Sequence, residues 1–203
     1  MKKSLEEHAS RFDEIAGEYD DSQNDTDEYR ACVSLVVDHA NPGPDDTVAD
    51  LGTGTGAIAL ALADDAGEVI GRDISDGMME QAREKAESQG IENVEFGEGR
   101  FRAPNVDSAD VVVSNFAMHH LSDAEKREAI EVIAGLEPRR FVLGDVMFFG
   151  TPDPDEPFYS PDVDDPATVG VLADALTDAG FALTAVERVH EQVGVLVAER
   201  GGE

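Results

Sequence analysis

Past residue 40 the chain alternates between two hydrophobic periods. Residues 5–19 and 26–40 carry apolar side chains at helical spacing, with Leu5, Phe12, Ile15 and Tyr19 on one stripe of the first segment. Asn41-Pro-Gly-Pro44 then breaks the helix, because proline lacks the amide that a helix needs. Beyond it, short apolar runs predict strands at 47–51, 68–72, 93–97, 109–114, 139–146, 181–189 and 193–200. Helical spacing fills the gaps at 56–65, 75–89, 123–135 and 166–179. Ser122-Asp-Ala-Glu125 is a capping box opening one helix, and Gly90 and Gly180 stand where left-handed residues end two others. Strands that alternate with helices pair mostly in parallel, with helices on both faces. The last two strands are joined through Glu191-Gln-Val-Gly194, too short for a crossover, so they form an antiparallel hairpin at one edge. The expectation is an α/β protein with a seven-stranded, mostly parallel sheet. It forms a single domain over 1–203, with a helical cap segment at 1–40 and a core at 41–203.

Charge changes this picture most. The net charge is −30, carried by acids spread throughout the chain, with only four lysines. A uniformly acidic fold repels itself unless salt screens it, which points to a halophilic, salt-rich setting with an acidic surface. A local patch for a basic partner is the competing explanation, but this charge is not local. Nucleic-acid substrates are disfavoured, because binding phosphates takes Lys and Arg. Cys32 is the only cysteine and excludes an internal disulfide or a cysteine metal cluster; no metal site is expected. No apolar run reaches membrane-spanning length, and Met1-Lys-Lys-Ser-Leu-Glu-Glu7 lacks the core of a secretion signal, so a cytoplasmic location is expected.

The chemistry concentrates in Val48-Ala-Asp-Leu-Gly-Thr-Gly-Thr-Gly-Ala-Ile-Ala-Leu60, a buried strand, a turn with Gly52, Gly54 and Gly56, and an apolar helix. Such glycines let the backbone turn tightly and touch a bound nucleotide. Asp50, two residues before the first of them, would repel a pyrophosphate on the helix N-terminus and attract a cationic amino-acid tail. S-adenosylmethionine has an ammonium, a sulfonium and no phosphate, so it suits this loop. Gly52-x-Gly54-x-x-Ala57 also satisfies the looser dinucleotide fingerprint, which keeps a nicotinamide cofactor open. Glu68-Val-Ile-Gly-Arg-Asp73 ends the next strand on an acid placed to bind both ribose hydroxyls of either ligand.

In these motifs the chain resembles a class I S-adenosylmethionine-dependent methyltransferase of the small-molecule, quinone-biosynthesis type. Phe12-Asp-Glu-Ile-Ala-Gly-Glu-Tyr-Asp20 is similar to the cap segment of that family, and Val48 to Gly56 to its cofactor loop. Asp110-Val-Val-Val-Ser-Asn-Phe-Ala-Met-His-His-Leu121 and Leu136-Glu-Pro-Arg-Arg-Phe-Val-Leu-Gly-Asp145 resemble its fourth and fifth strands. The resemblance implies a doubly wound, Rossmann-like fold and S-adenosyl-L-methionine as cofactor. It implies cofactor contacts from Tyr19, Asp50, Gly52, Thr53, Gly54, Gly56, Asp73, Ile74, Met78, Phe101, Ser114 and Asn115. Arg100 also falls in this set, at the position where relatives often carry an acid for the adenine amino group; arginine cannot accept that bond. Ser114-Asn115-Phe-Ala is not the Asn-Pro-Pro-aromatic signature of relatives that methylate nucleobase or glutamine amino groups.

On the substrate side, His119, His120 and Asp145 fall at the carboxyl ends of strands four and five, where a base is needed if the acceptor atom carries a proton. Histidine suits that role near neutrality, and packing or helix capping is the alternative use of the pair. Thr151 to Pro166 holds five prolines and six acids around Phe158 and Tyr159, which makes it a candidate lid over the substrate or a solvated connector. The expected function is methyl transfer to a small-molecule acceptor by in-line displacement. A methyltransferase acting on RNA or protein is the runner-up, and a non-turnover S-adenosylmethionine-binding sensor or partner subunit is the reading of another class.

The charge yields a direct expectation. Lowering salt lengthens the screening distance from about 3 Å at 1 M to about 30 Å at 0.01 M, so the melting temperature should rise steeply with potassium chloride. A melting temperature that stays flat between dilute buffer and molar salt would contradict the salt-adapted reading.

Overall fold

The computed structural model describes residues 5–19, 26–151, 158–161 and 163–201. Two helices precede the sheet, α1 (Leu5–Ile15), continued by a 3-10 turn (Ala16–Glu18), and α2 (Asp27–Ala40). Then come β1 (Thr47–Leu51), α3 (Ala57–Leu62), β2 (Glu68–Asp73), α4 (Asp76–Gln89), β3 (Val94–Glu98) and β4 (Val111–Asn115). A 3-10 turn (Met118–His120) leads to α5 (Asp123–Gly135), β5 (Arg140–Phe148), β6 (Ala167–Thr168), α6 (Val169–Asp178), β7 (Ala182–His190) and β8 (Val193–Glu199). The strand order is β3-β2-β1-β4-β5-β8-β7, with the two-residue β6 paired to β5 off that path.

The expected mostly parallel sheet is present, and β7 and β8 form the antiparallel hairpin, with β8 inserted between β5 and β7. Seven strands form the continuous path and β6 is an addition. Residues 166–179 read as one helix; instead Ala167–Thr168 pairs with Met147–Phe148, and the helix begins at Val169 with the Thr168 hydroxyl capping Val171. Thr168 can do both because an N-cap residue keeps extended backbone. Helix 5–19 likewise ends at Ile15, and helix 56–65 contracts to Ala57–Leu62.

Period-two alternation divides the core between the two faces of the sheet. Val111, Val113 and Val142 meet α2, α3 and α4 through Val36, Ile58, Leu62 and Met79. Val112, Phe141 and Leu143 meet α5 and α6 through Ile130, Ile133 and Leu176. The strands β1, β4, β5 and β8 are buried on both faces, as a sheet covered by helices requires. The capping box at Ser122 forms as expected, and Gly90 and Gly180 adopt φ of 69° and 90°. What positions the site is the reversal of strand order between β1 and β4, which opens a crevice at their carboxyl ends.

Candidate functional site

The crevice holds a cavity of about 460 Å³. Its floor is the glycine loop after β1. Gly52, Gly54 and Gly56 all have positive φ, at 75°, 54° and 85°. The amides of Gly52 and Thr53 both donate to the Arg72 carbonyl, at 2.8 and 3.0 Å, which ties the loop to the end of β2. A side chain on Gly52 would bring its Cβ to 2.4 Å from that of Ala117, so the loop can pack against the segment after β4 only as glycine. Gly54 has nothing within 4 Å of its Cβ direction and leaves the backbone open to the cavity.

Two carboxylates flank this loop. Asp50 is 1 % exposed and accepts the Thr53 hydroxyl at 2.7 Å. Burial, with the nearby charge of Asp73, pushes its pKa up to about 7. Asp73 accepts the Gly54 amide at 2.8 Å and the Ser75 amide at 3.0 Å, so it also holds the loop in shape. Burial raises its pKa too, against those two hydrogen bonds. Among the described residues no basic side chain forms an ion pair with either acid. Two acids in a cavity wall, neither paired with the arginines that also line it, fit a cationic, hydroxyl-bearing ligand.

Of the cofactor residues expected from sequence, Tyr19, Asp50, Gly52, Thr53, Gly54, Asp73, Ile74, Met78, Arg100, Phe101 and Asn115 line this one cavity. Gly56 does not; it caps α3 behind the wall. Ser114 does not either, being fully buried with no hydrogen-bond partner for its hydroxyl. Asn115 is in the wall, while its amide atoms are buried without a hydrogen-bond partner and its Oδ1 lies against Gly144. Met78 is buried at 2 % exposure while facing the cavity; Met79 is core. Arg100 is exposed at the rim, 3.9 Å from Glu98.

The substrate-side residues sort differently. His120 lines the cavity, whereas His119 and Asp145 lie behind it. His119 Nδ1 is 2.6 Å from Asp145 Oδ1, and the His119 amide donates to Asp145 Oδ2 at 3.0 Å. Burial opposes charging His119, but Asp145 outweighs it and the pKa rises. His120 Nδ1 is 2.8 Å from Asp164 Oδ1. Burial, then the charge of His119, lowers the His120 pKa to about 4. His119, His120 and Asp164 offer ligand atoms within 4.8 Å of one another. However, both carboxylates are already hydrogen-bonded within the protein, Asp145 to His119 and Asp164 to His120 and the Ser160 amide. Phe158 and Tyr159 are not in the wall. Phe158 packs on Phe116, 6.4 Å between rings, and on His190, while Tyr159 packs on Phe148. Of the remaining candidate lid, residues 152–157 and 162 lie outside the described residues.

Sequence reasoning missed His8, Tyr29 and Phe116, all in the wall. Phe116 carries φ of 51°, a strained value for a bulky residue, fixed by the hydrogen bond its amide donates to the Gly144 carbonyl and by the rings of Tyr29 and Phe158. Its only sequence trace is its place directly after a strand end.

Comparison with known proteins gives a consistent result. The sequence model of a methyltransferase domain matches residues 48–136. An uncharacterized methyltransferase of Bacillus pumilus is 33 % identical over 155 residues, covering 70 % of this chain and 68 % of that protein. The uncharacterized methyltransferase YcgJ of Bacillus subtilis is 35 % identical over 118 residues, 56 % of this chain but only 46 % of that protein. Among solved structures, the complex of DhpI with SAH superposes with a TM-score of 0.75 at 21 % identity, covering 98 % of both chains. Magnesium protoporphyrin IX methyltransferase of Synechocystis, with bound SAM, gives 0.68 at 21 % identity, covering 94 % of this chain and 97 % of that one.

Asp50 makes the site pH-sensitive in a defined direction. An ordinary Asp carboxyl loses its proton at about 3.9, while Asp50 in the folded chain holds it to about 7. Between those values the folded state binds the extra proton, so this contribution is present below about pH 4 and is lost as pH rises through 7. Asp50→Asn is neutral throughout. The melting temperature of the wild type should therefore fall relative to Asp50→Asn across that window, and parallel curves would contradict the assignment.

Proposed function

The chain belongs to the class I S-adenosylmethionine-dependent methyltransferases, and on that footing we propose that it methylates a small-molecule acceptor held in the cavity above the glycine loop. The observation that carries this reading is the pair of buried acids, Asp50 and Asp73, beside a loop open at Gly54. Asp50 would hold the ammonium of the cofactor's amino-acid tail, and Asp73 its ribose hydroxyls. Met78 and Phe101 would flank the adenine, and Tyr19 and Asn115 would close the site beside the amino-acid tail. When bound, the cofactor supplies a methyl group already activated by its sulfonium. The chain has then to orient the acceptor and exclude water, which can lower a barrier by about 7–11 kcal/mol. Phe12, Tyr19 and Tyr29 bring an aromatic roof from the N-terminal helices, and Phe116 supplies a wall. A cavity of about 460 Å³ favours a small acceptor over a macromolecular one, as do the names of neighbours that act on a porphyrin and on geranyl diphosphate.

The proposal places His120 nearest the acceptor, with His119 and Asp145 as an ion pair behind it. It places Phe158 in a supporting layer, where it bears on the acceptor through Phe116, and Tyr159 farther out. The distributed charge of −30 supports work in a salt-rich cytoplasm.

Methyl-labelled S-adenosylmethionine in molar potassium chloride, offered small-molecule, RNA and protein fractions separately, tests the acceptor class. Label in the small-molecule fraction is expected. Label in RNA or protein would replace the proposal with the runner-up, and absence of turnover despite cofactor binding would favour a sensor. In the same assay Asp73→Ala should weaken S-adenosylhomocysteine binding by about 2–5 kcal/mol, as loss of a buried charged partner does. It should also lower stability by about 1–3 kcal/mol, because the Gly54 and Ser75 amides lose their acceptor. Unchanged affinity would place the cofactor elsewhere.

A further inference from the structure

The turn Met118–His120 is fastened to the segment that returns toward β6. The Asp165 amide donates to the His119 carbonyl at 2.7 Å, and Lys126 Nζ donates to the carbonyls of both Leu121 and Asp165. Within that clamp Asp164 is 8 % exposed; one oxygen meets His120 Nδ1 at 2.8 Å and the other accepts the Ser160 amide at 2.8 Å. A carboxylate on Nδ1 fixes the proton there and leaves the lone pair on Nε2. His120 is the member of the cluster that lines the cavity, and with Nδ1 engaged by Asp164 its Nε2 is the nitrogen left for an acceptor. Phe12 stands 5.6 Å and His8 5.0 Å from its ring, which makes the surrounding wall aromatic.

We infer that His120 Nε2 receives the proton of a hydroxyl group on a planar acceptor, and that Asp164 is the positioning residue that aims it. The inference rests on the methyl-transfer reading above. In the step, a lone pair of the acceptor oxygen forms the bond to the methyl carbon. The carbon–sulfur bond breaks with its electron pair going to sulfur, and the O–H proton passes to Nε2. The resulting imidazolium is neutralised by Asp164. An imidazole held near 4 is a weak base. It suffices for oxygen, because an oxygen that gains a methyl while keeping its proton becomes a far stronger acid than imidazolium. It does not suffice for an alkyl amine, whose methylated product holds its proton to about 10, as lysine does. The charged and titratable groups around His120 are His8 from α1, His119 in its own turn, Asp164 from the clamped segment, and Glu125 and Arg102 along the wall. Asp145 and Lys126 lie behind His119.

Three readouts on this chain in molar salt test this. The first is carbethoxylation by diethyl pyrocarbonate, mapped by peptide mass, and it needs no acceptor. His120 should react before His119, and more slowly in Asp164→Asn. The second is the position of the label in the product obtained from the small-molecule fraction, expected on oxygen. The third is turnover of that acceptor by Asp164→Asn. The turnover number should fall on the order of 10²-fold, with S-adenosylhomocysteine affinity kept. The acid limb of its pH profile should move to lower pH, because the carboxylate that raises the imidazole's pKa is gone. His120→Asn, which leaves Asp164 in place, serves if Asp164→Asn does not fold, and should lose turnover while binding the cofactor. His119 reacting first, an unchanged carbethoxylation rate, label on nitrogen or an unmoved acid limb would each overturn the inference. Visible absorption of a four-coordinate cobalt(II) complex dependent on Asp164 would overturn it in favour of a metal site. Failure of the underlying reading would look different, as absence of S-adenosylhomocysteine binding in the wild type.

Discussion

Asp50 and Asp73 stand together at the carboxyl end of the sheet, buried and, among the described residues, without a basic partner. Buried charge of one sign is unfavourable unless something answers it. The protein by itself answers by protonation, with Asp50 held near 7, and by hydrogen bonds from Thr53, Gly54 and Ser75. The glycine loop depends on this arrangement as much as the acids depend on the loop. Gly54 is anchored by Asp73, Gly52 and Thr53 by the Arg72 carbonyl, and Gly52 leaves just enough room for Ala117. A ligand that brings a positive charge and hydroxyls would complete the cluster. A ligand that brings phosphates would add to its strain.

The second polar cluster behaves in the opposite way. Asp145 is matched within the protein by His119, and Asp164 by His120 and the Ser160 amide, so this part of the cavity is settled before any ligand arrives. The contrast divides the cavity into a half poised for a cation and a half that holds one neutral imidazole at the wall. Such a division suits methyl transfer, since the donor is cationic and the acceptor atom attacks through a free electron pair, as an anion, as a neutral group or with its proton leaving. The segment after Phe158 enters this scheme through Asp164 and Asp165, which clamp the histidine turn, more than through its aromatic rings.

Sequence carried the floor of the site well and its roof poorly, for physical reasons. Positive φ at Gly52, Gly54 and Gly56, and an acid at a strand end, are local demands that a residue type reveals in place. The fully buried strands are legible for the same reason, as short unbroken apolar runs. His8 and Tyr29 reach the cavity only because α1 packs on α4 and α2 on a face of the sheet, and nothing in their own neighbourhoods marks them. Asp164 meets His120 across 44 residues from within a segment rich in acids, where one carboxylate looks like any other. Ser114 shows another limit: it sits in the right motif, yet strand alternation turns its side chain into the protein.

The central claim is that the acid pair is built for a cationic, phosphate-free nucleoside. Calorimetric titration with S-adenosylhomocysteine near neutral pH, in molar salt and in buffers of different ionisation enthalpy, measures it directly. The account predicts binding accompanied by release of a proton from Asp50, as its carboxylate takes up the ammonium, and loss of that release in Asp50→Asn. Binding with no proton release, or tighter binding of NAD or NADP than of S-adenosylhomocysteine, would contradict it.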